Sequence, residues 1–362
     1  MKHTAAASQK DFSQGSVAIN ILRLALPMTL AQLINVLYNM VDRIYIGHLP
    51  HTSTQALTGI GLTLPVITII TAFANLFGMG GAPLFSIARG AGETERAKRI
   101  MGNSFSLLFL SGVLIAALCL IFRRPLLYLF GASDVTYPYA DAYITIYLLG
   151  TLFVMVSLGM NNFINAQGFG VTGMLTVSIG AVLNLILDPL FIFVFGLGVR
   201  GAAIATIISQ CVSAIWVFHF LTRGNAIIKL SKKYLRLHKR LVKEITSLGF
   251  SGFIMAITNG SVQIMCNATL QRYGGDLYVG IMTVINSVRE LINMPMNGLT
   301  NGAQPIISFN YGAGEKGRVK SAIRFMTVSC ILFTLFLWAL LLLFPRFFIH
   351  LFNSEPELLE KC

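Results

Sequence analysis

From residue 20 onward the chain is written in long apolar stretches, each closed by a short polar or Gly/Pro-containing break. Nine stretches run roughly over 20–46, 56–86, 97–121, 137–160, 166–194, 200–222, 246–271, 277–309 and 320–345. Each is long enough to cross a bilayer core as an α-helix, which takes about 20 residues. The pattern therefore predicts an all-α, polytopic membrane helical bundle. One break is unlike the others. Residues 223–243, with RGNAIIKLSKKYLRLHKRLVK at their heart, are long, basic and partly amphipathic. They are expected to connect two bundles outside the bilayer.

An internal repeat supports that division. Residues 80–98 (GGAPLFSIARGAGETERAK) align without gaps with residues 302–320 (GAQPIISFNYGAGEKGRVK), at a constant offset of 222. Pro83 matches Pro305, Ser86 matches Ser308, Gly90 to Glu93 match Gly312 to Glu315, and Arg96 and Lys98 match Arg318 and Lys320. Both copies join a second span to a third on the same side of the membrane, so the halves read as parallel repeats. Transporters are often built this way, with the substrate site between the repeats. The expected organisation is a tail over 1–19, a first lobe of six spans over 20–222, a basic linker over 223–245 and a partial second lobe of three spans over 246–362. RRPLLYLFGASDV after the third span finds an echo in FPRFFIHLFNSEPELL after the ninth. By the repeat, the second lobe is expected to lack its last three helices.

Composition agrees with the membrane reading. The 362 residues are 55% hydrophobic and 11% charged, with a mean hydropathy of +0.72. Soluble domains carry about 25% charged residues, so this chain has too little charge to cover a water-facing surface. The net charge of +13 suggests nucleic acid only until its placement is considered. Basic residues crowd the tail (Lys2, Lys10, Arg23), the loop after the second span (Arg89, Arg96, Lys98, Arg99), the linker (eight from Arg223 to Lys243) and the loop after the eighth span (Lys316, Arg318, Lys320, Arg324). The opposite loops hold Arg123, Arg124, Arg200, Arg272 and Arg346. This is the positive-inside bias. It predicts a cytoplasmic N-terminus in the plasma membrane, contact with membrane lipid and no nucleic-acid partner. Five cysteines and six histidines form no metal-ligand spacing and no nucleophile–base pair, so neither a cofactor nor enzymatic chemistry is expected.

Polar groups that persist inside a bilayer usually face the bundle interior or a wet cavity. In the first span Gln32, Asn35, Asn39 and Asp42 are spaced by three, four and three residues, which puts them on one helical face beside Tyr38. Asp42 admits two accounts: cation coupling, or an interfacial carboxylate paired with Arg43. The fifth span carries NLILDP, in which Asn184 and Asp188 lie one turn apart and Pro189 deprives the Leu185 carbonyl of its helical partner. A carboxylate, an amide and a freed carbonyl suit a proton or Na⁺, and Thr206 in the next span can add a hydroxyl; the alternative is a kinked helix end with Asp188 capping locally. In NNFINAQGFG only Asn161 is expected in a cavity, while Asn162, Asn165 and Gln167 are expected in a solvated turn. The eighth span bears Asn286, Glu290, Asn293, Asn297 and Asn301 as a second polar stripe, and the seventh bears Asn259, Gln263 and Asn267. The seventh-span stripe equally suits helix–helix adhesion.

LALPMTLAQLINVLYNMVDRIYIG, the paired GAGE loops and NLILDPLFIF together resemble the multidrug and toxic compound extrusion (MATE) family. The resemblance runs through nearly the whole chain after residue 18. It implies two six-helix lobes that rock between inward- and outward-facing states, exporting bulky and often cationic small-molecule drugs in exchange for H⁺ or Na⁺. It also implies that Asp42, Asn184, Asp188 and Thr206 form the cation-coupling cluster, with Asp42 and Asp188 as the candidate Na⁺ position. Gln32, Asn35, Tyr38, Asn39, Asn161, Gln263, Asn286 and Glu290 are the candidate cavity residues. Two other readings stand beside the exporter. A lipid-linked saccharide flippase of the same superfamily would favour a basic cavity to hold pyrophosphate. A non-transporting truncated membrane protein would have little use for the polar stripes.

Overall fold

The computed structural model describes residues 12–47 and 53–343, and among them the regular structure is entirely helical. The helices are α1 (Val17–Gly47), α2 (Ser53–Gly61), α3 (Leu64–Gly90), α4 (Thr94–Ile121), α5 (Arg123–Leu129), α6 (Tyr137–Leu149), α7 (Thr151–Ala166), α8 (Gly170–Pro189), α9 (Val199–Thr222), α10 (Lys239–Gly312) and α11 (Lys316–Leu343). Residues 344–362, with the C-terminal echo motif, lie outside the described residues.

The expected first six spans are recovered with small shifts. Two short helices flank them, since α2 runs into α3 as a single apolar span over Gln55–Gly90. The fourth span is a broken one: α6 and α7 meet at Gly150 with a bend of 57°. α7 also continues to Ala166, six residues beyond the expected end at 160. At the end of α8, Pro189 cannot donate a backbone hydrogen bond, and the chain widens into a π turn over Leu190–Val194.

The seventh and eighth spans differ from expectation. In place of a break near 272–276, helical backbone runs unbroken through α10, 74 residues in all. No proline falls between Lys239 and Met294 to interrupt it. A straight helix of that length would extend about 111 Å. Yet Gly249 lies against Leu76 and Gly312 against Ile87, positions only about 17 Å apart along α3. α10 therefore doubles back, and both of its ends pack on the same helix.

That packing displays the repeat in three dimensions. Without a hydrophobic drive between helices in lipid, close approach depends on small residues. Gly90 meets the backbone of Phe309 and Ala313, while Gly312 meets the backbone of Ile87. Gly90 and Gly312 are repeat partners, and so are Ile87 and Phe309. Likewise Gly80 of α3 packs on Ile245 and Gly249, and its partner Gly302 packs on Ala25. Each half thus places its second span against the first span of the other, as a local two-fold relation requires.

Two apolar cores follow. The larger gathers residues of α2 to α7 and α9 with Ile46 of α1, Ile192, the connector's Ala226, Ile228 and Leu230, and Ile245; Phe85, Met101, Leu108, Met155 and Phe163 are among its most enclosed side chains. The smaller joins Phe12, Ile21, Leu24 and Ala25 to Ala303, Ile306, Phe309 and Ala322. The base of α1 is therefore shared with the second half of the chain.

The basic connector is also more ordered than its composition suggests. Ala226, Ile228 and Leu230 are buried, and Gln167 Oε1 accepts the Ile228 N–H at 2.8 Å. Asn103 donates to Arg236 O at 3.2 Å and accepts from His238 N at 2.8 Å, while Ser106 donates to Leu235 O at 2.6 Å. Gln167, expected in a solvated turn, is instead fully buried, because the connector folds over it. Asn103→Ala is expected to leave a carbonyl and an N–H without partners in this seam, costing about 1–3 kcal/mol. Thermal unfolding of the purified protein in detergent would register a lowered midpoint; an unchanged midpoint would mean that the seam does not hold the connector.

Candidate functional site

Two neighbouring cavities lie among α1, α3, α7, α8, α9 and α10. The larger, about 290 Å³, is bordered by α1, α3, α7, α8 and α10. The smaller, about 40 Å³, lies deeper in the first bundle between α1, α7, α8 and α9. Asn35 and Asn161 border both, so a change at one cavity is one side chain from the other.

The smaller cavity abuts the acidic cluster. Asn184 Nδ2 donates to Asp188 Oδ1 at 3.1 Å and to Thr206 Oγ1 at 3.4 Å. Thr206 spends its own proton on the Ala202 carbonyl at 3.0 Å, which leaves its oxygen free to accept. Asp188 and Asn184 are almost wholly enclosed, at 1% and 3% exposure. The helical spacing anticipates this much: residues 184 and 188 share a face of α8, and Thr206 faces them from α9. Asp42 reaches the same place from α1, its carboxyl close to that of Asp188. Two carboxyl groups can share a hydrogen bond only if one of them carries a proton. The oxygens of Asp42, Asp188, Asn184 and Thr206 also make a set suited to a hard cation.

A third layer of the cluster has no counterpart in the sequence reading. Tyr143, on α6, lies within hydrogen-bonding reach of Thr206 and close to Asp42 and Tyr38. Its ring stacks on that of Tyr147 one turn on, with centroids 6.0 Å apart and planes 18° from parallel. Both tyrosines are buried. The i,i+4 spacing of two tyrosines in an apolar helix was the available signal; their orientation toward Asp42 was not.

The larger cavity is lined by neutral polar groups. Gln32, Asn35, Asn161, Asn162, Asn165, Asn301 and Gln304 contribute amides, and Ser86 a hydroxyl, between Met28, Met174 and Met294. No lysine, arginine or carboxylate lines it among the described residues. Repeat partners Pro83 and Pro305 both border it. The amide oxygens of Asn161 and Asn165 and the hydroxyl of Ser86 are buried without protein partners. Such acceptors are unfavourable unless water or a ligand with N–H or O–H groups meets them.

Of the sequence candidates, Gln32, Asn35 and Asn161 line the larger cavity, and Tyr38, Asn184 and Thr206 line the smaller. Asn162 and Asn165, expected in a solvated turn, line the larger cavity too, because α7 continues past them. Asn286 lines neither. Of its stripe, Asn301 reaches the cavity, while Asn293 and Asn297 are exposed. The side chains of Asn39, Gln263, Asn267 and Glu290, and that of Arg43, the alternative partner of Asp42, lie outside the described part of the structure.

The MatE family model matches residues 27–190 and 252–362. The chain is 30% identical over 324 residues to the multidrug export protein MepA of Staphylococcus saprophyticus, covering 88% of this chain and 70% of that protein. It is 28% identical over 349 residues to MepA of Staphylococcus haemolyticus, covering 96% and 76% respectively. A crystal structure of MATE in complex with MaD3S superposes with a TM-score of 0.90 at 24% identity, over 97% of this chain and 78% of that one. At that identity the superposition speaks for the fold.

Proposed function

The chain belongs to the MatE family, and from that premise we propose that it is a secondary multidrug exporter of the plasma membrane, not an enzyme, exchanging organic, often cationic drugs for H⁺ or Na⁺. In this reading the Asp42–Asp188 pair holds the coupling cation, and the amide-lined cavity holds the drug.

The contact between Asp42 and Asp188 carries the proposal. A coupling site must exist in a loaded and an unloaded form and must transmit the difference. Here the loaded form has a proton between the carboxyls. Its loss leaves two like charges side by side, that of Asp188 fully enclosed, and they repel strongly where the dielectric is low. Asp42 sits on α1, the helix that also carries Gln32 and Asn35 into the larger cavity. Movement of Asp42 away from Asp188 therefore changes the walls of the drug site. Na⁺ is the alternative occupant, favoured by the oxygen set around the pair.

The lining supports the substrate class. Neutral amides and methionines suit large organic molecules of varied shape. A flippase for a pyrophosphate-linked lipid would favour cationic side chains at this position. The placement of basic residues supports a cytoplasmic N-terminus.

Ethidium efflux from cells expressing the chain, with an imposed pH or Na⁺ gradient, tests the reading. Efflux that accelerates with one of the two gradients is expected and identifies the ion. Efflux indifferent to both gradients, from a well-inserted protein, would remove the antiport reading.

A further inference from the structure

The stretch before α1 does not trail away from the bundle. Phe12 is 5% exposed and lies in the smaller apolar core. Its ring meets that of Phe309 edge-on at 5.6 Å, and the guanidinium of Arg89 lies 5.4 Å from one ring and 5.1 Å from the other. Arg89 belongs to α3 and also donates to Ala166 O, at 3.2 Å, at the end of α7. Phe309 belongs to the far end of α10. Phe12 is thus wedged between the first half of the chain and the second.

Its backbone is held as firmly. Arg318, at the start of α11, donates to Phe12 O at 2.9 Å, Gln14 O at 3.1 Å and Gly15 O at 3.0 Å, and to Asn310 Oδ1 at 3.1 Å. Asn310, fully buried, donates in turn to Phe12 O at 3.1 Å. Gly15, at φ +70°, turns the chain from this hold into α1. The hold has a repeat counterpart: Arg96, the partner of Arg318, pairs with Glu244 at 3.3 Å, at the entry to the second half. Ser86 and Pro305, close in sequence to Arg89 and Phe309, and Ala166, whose carbonyl accepts from Arg89, line the larger cavity. The strap therefore closes the seam between the halves at one end of that cavity.

We propose that Phe12–Gly15 is a latch that locks the two halves together at this end of the cavity and must leave Arg318, Asn310 and the Arg89–Phe309 cleft whenever the cavity opens there. The proposal rests on reading the halves as rocking lobes. If they part at this end, Phe309 and Arg318 move away from Arg89, and the strap stays with only one side. The latch thereby sets how much of the protein is open at this end at rest, and so how readily a drug enters from it.

Spin labels at Thr94→Cys and Lys316→Cys, exposed repeat partners on either side of the seam, report the opening in the full chain with its own cysteines replaced. Pulsed electron–electron distance measurements are made in liposomes with and without ethidium. Phe12→Ala and Arg318→Gln are each expected to enlarge the long-distance population on the order of tenfold, the equivalent of one charge-assisted hydrogen bond. Thermal unfolding identifies which variants fold. If either folds and keeps the wild-type distance distribution, the latch is refuted, even where its melting point is lowered. A wild-type protein held at one distance under all conditions would refute rocking instead, and the latch would still be judged by whether the variants lengthen that distance.

Discussion

Asp42→Asn is expected to reduce gradient-driven efflux by on the order of a hundredfold or more, down to the level of cells without the protein. The substitution preserves shape and removes one function, the ability to take up and release a proton or to offer a charge to Na⁺. In the structure the asparagine side chain would still reach Asp188, donating from its amide in place of the shared proton. The pair would be fixed in its loaded form, and the repulsion that separates α1 from α8 on unloading would never arise. The amount of inserted protein should match wild type, since a neutral side chain at that depth is easier to accommodate than a carboxylate. Asp188→Asn should behave in the same way, because the pair acts as one site. The measurement is ethidium efflux normalised to membrane-inserted protein. Wild-type efflux from a well-expressed Asp42→Asn variant would remove the carboxyl pair from the coupling step and favour a purely structural account of it.

Gly90→Val and Gly312→Val are expected to fail together. At each position a side chain would run into the backbone of the other half, Phe309 and Ala313 in one case and Ile87 in the other. Backbone cannot swing aside as a rotamer can. Overpacking of this kind costs about 1–3 kcal/mol or more, enough to shift a balanced pair of states by roughly 5- to 150-fold. The closed seam is where the cost falls, so efflux should drop sharply while much of each half stays folded. The matching of the two variants is the sharper part of the expectation, since the crossing is two-fold and the residues are repeat partners. Efflux and thermal unfolding measured side by side check it. If one variant is silent and the other severe, the two-fold crossing does not describe the working seam.

Much of this was legible in one dimension. Span lengths follow from the thickness of a bilayer, and the positive-inside bias from charge counting. The offset of 222 is visible as matched letters, and in the structure Gly90 meets Phe309 while its repeat partner Gly312 meets Ile87. Within single helices spacing was enough: Gln32 and Asn35 share a face, and Asn184 and Asp188 share another. The sequence misled where an end had to be judged from polarity. Asn162, Asn165 and Gln167 read as a solvated turn, but α7 runs through Ala166 and the connector folds over Gln167. The break expected near 272–276 is not an interruption of helical backbone: Gly274 and Gly275 remain in α10, which nonetheless doubles back between Gly249 and Gly312.

What the sequence determined by itself is therefore whatever depends on local chemistry: the bilayer as solvent, the helical class, the repeat and the polar faces of individual spans. The tertiary structure alone decided which faces meet. Tyr143 and Asp42 are a hundred residues apart, and so are Asp42 and Asp188 to within half as much again; no spacing rule joins them, because their contact depends on how α1, α6 and α8 are rotated and crossed. The same holds for Phe12, which as the one aromatic of a largely polar and alanine-rich tail carried no signal. Its role exists only where the ends of α3 and α10 leave a cleft of its size, with Arg318 positioned to hold the chain that fills it.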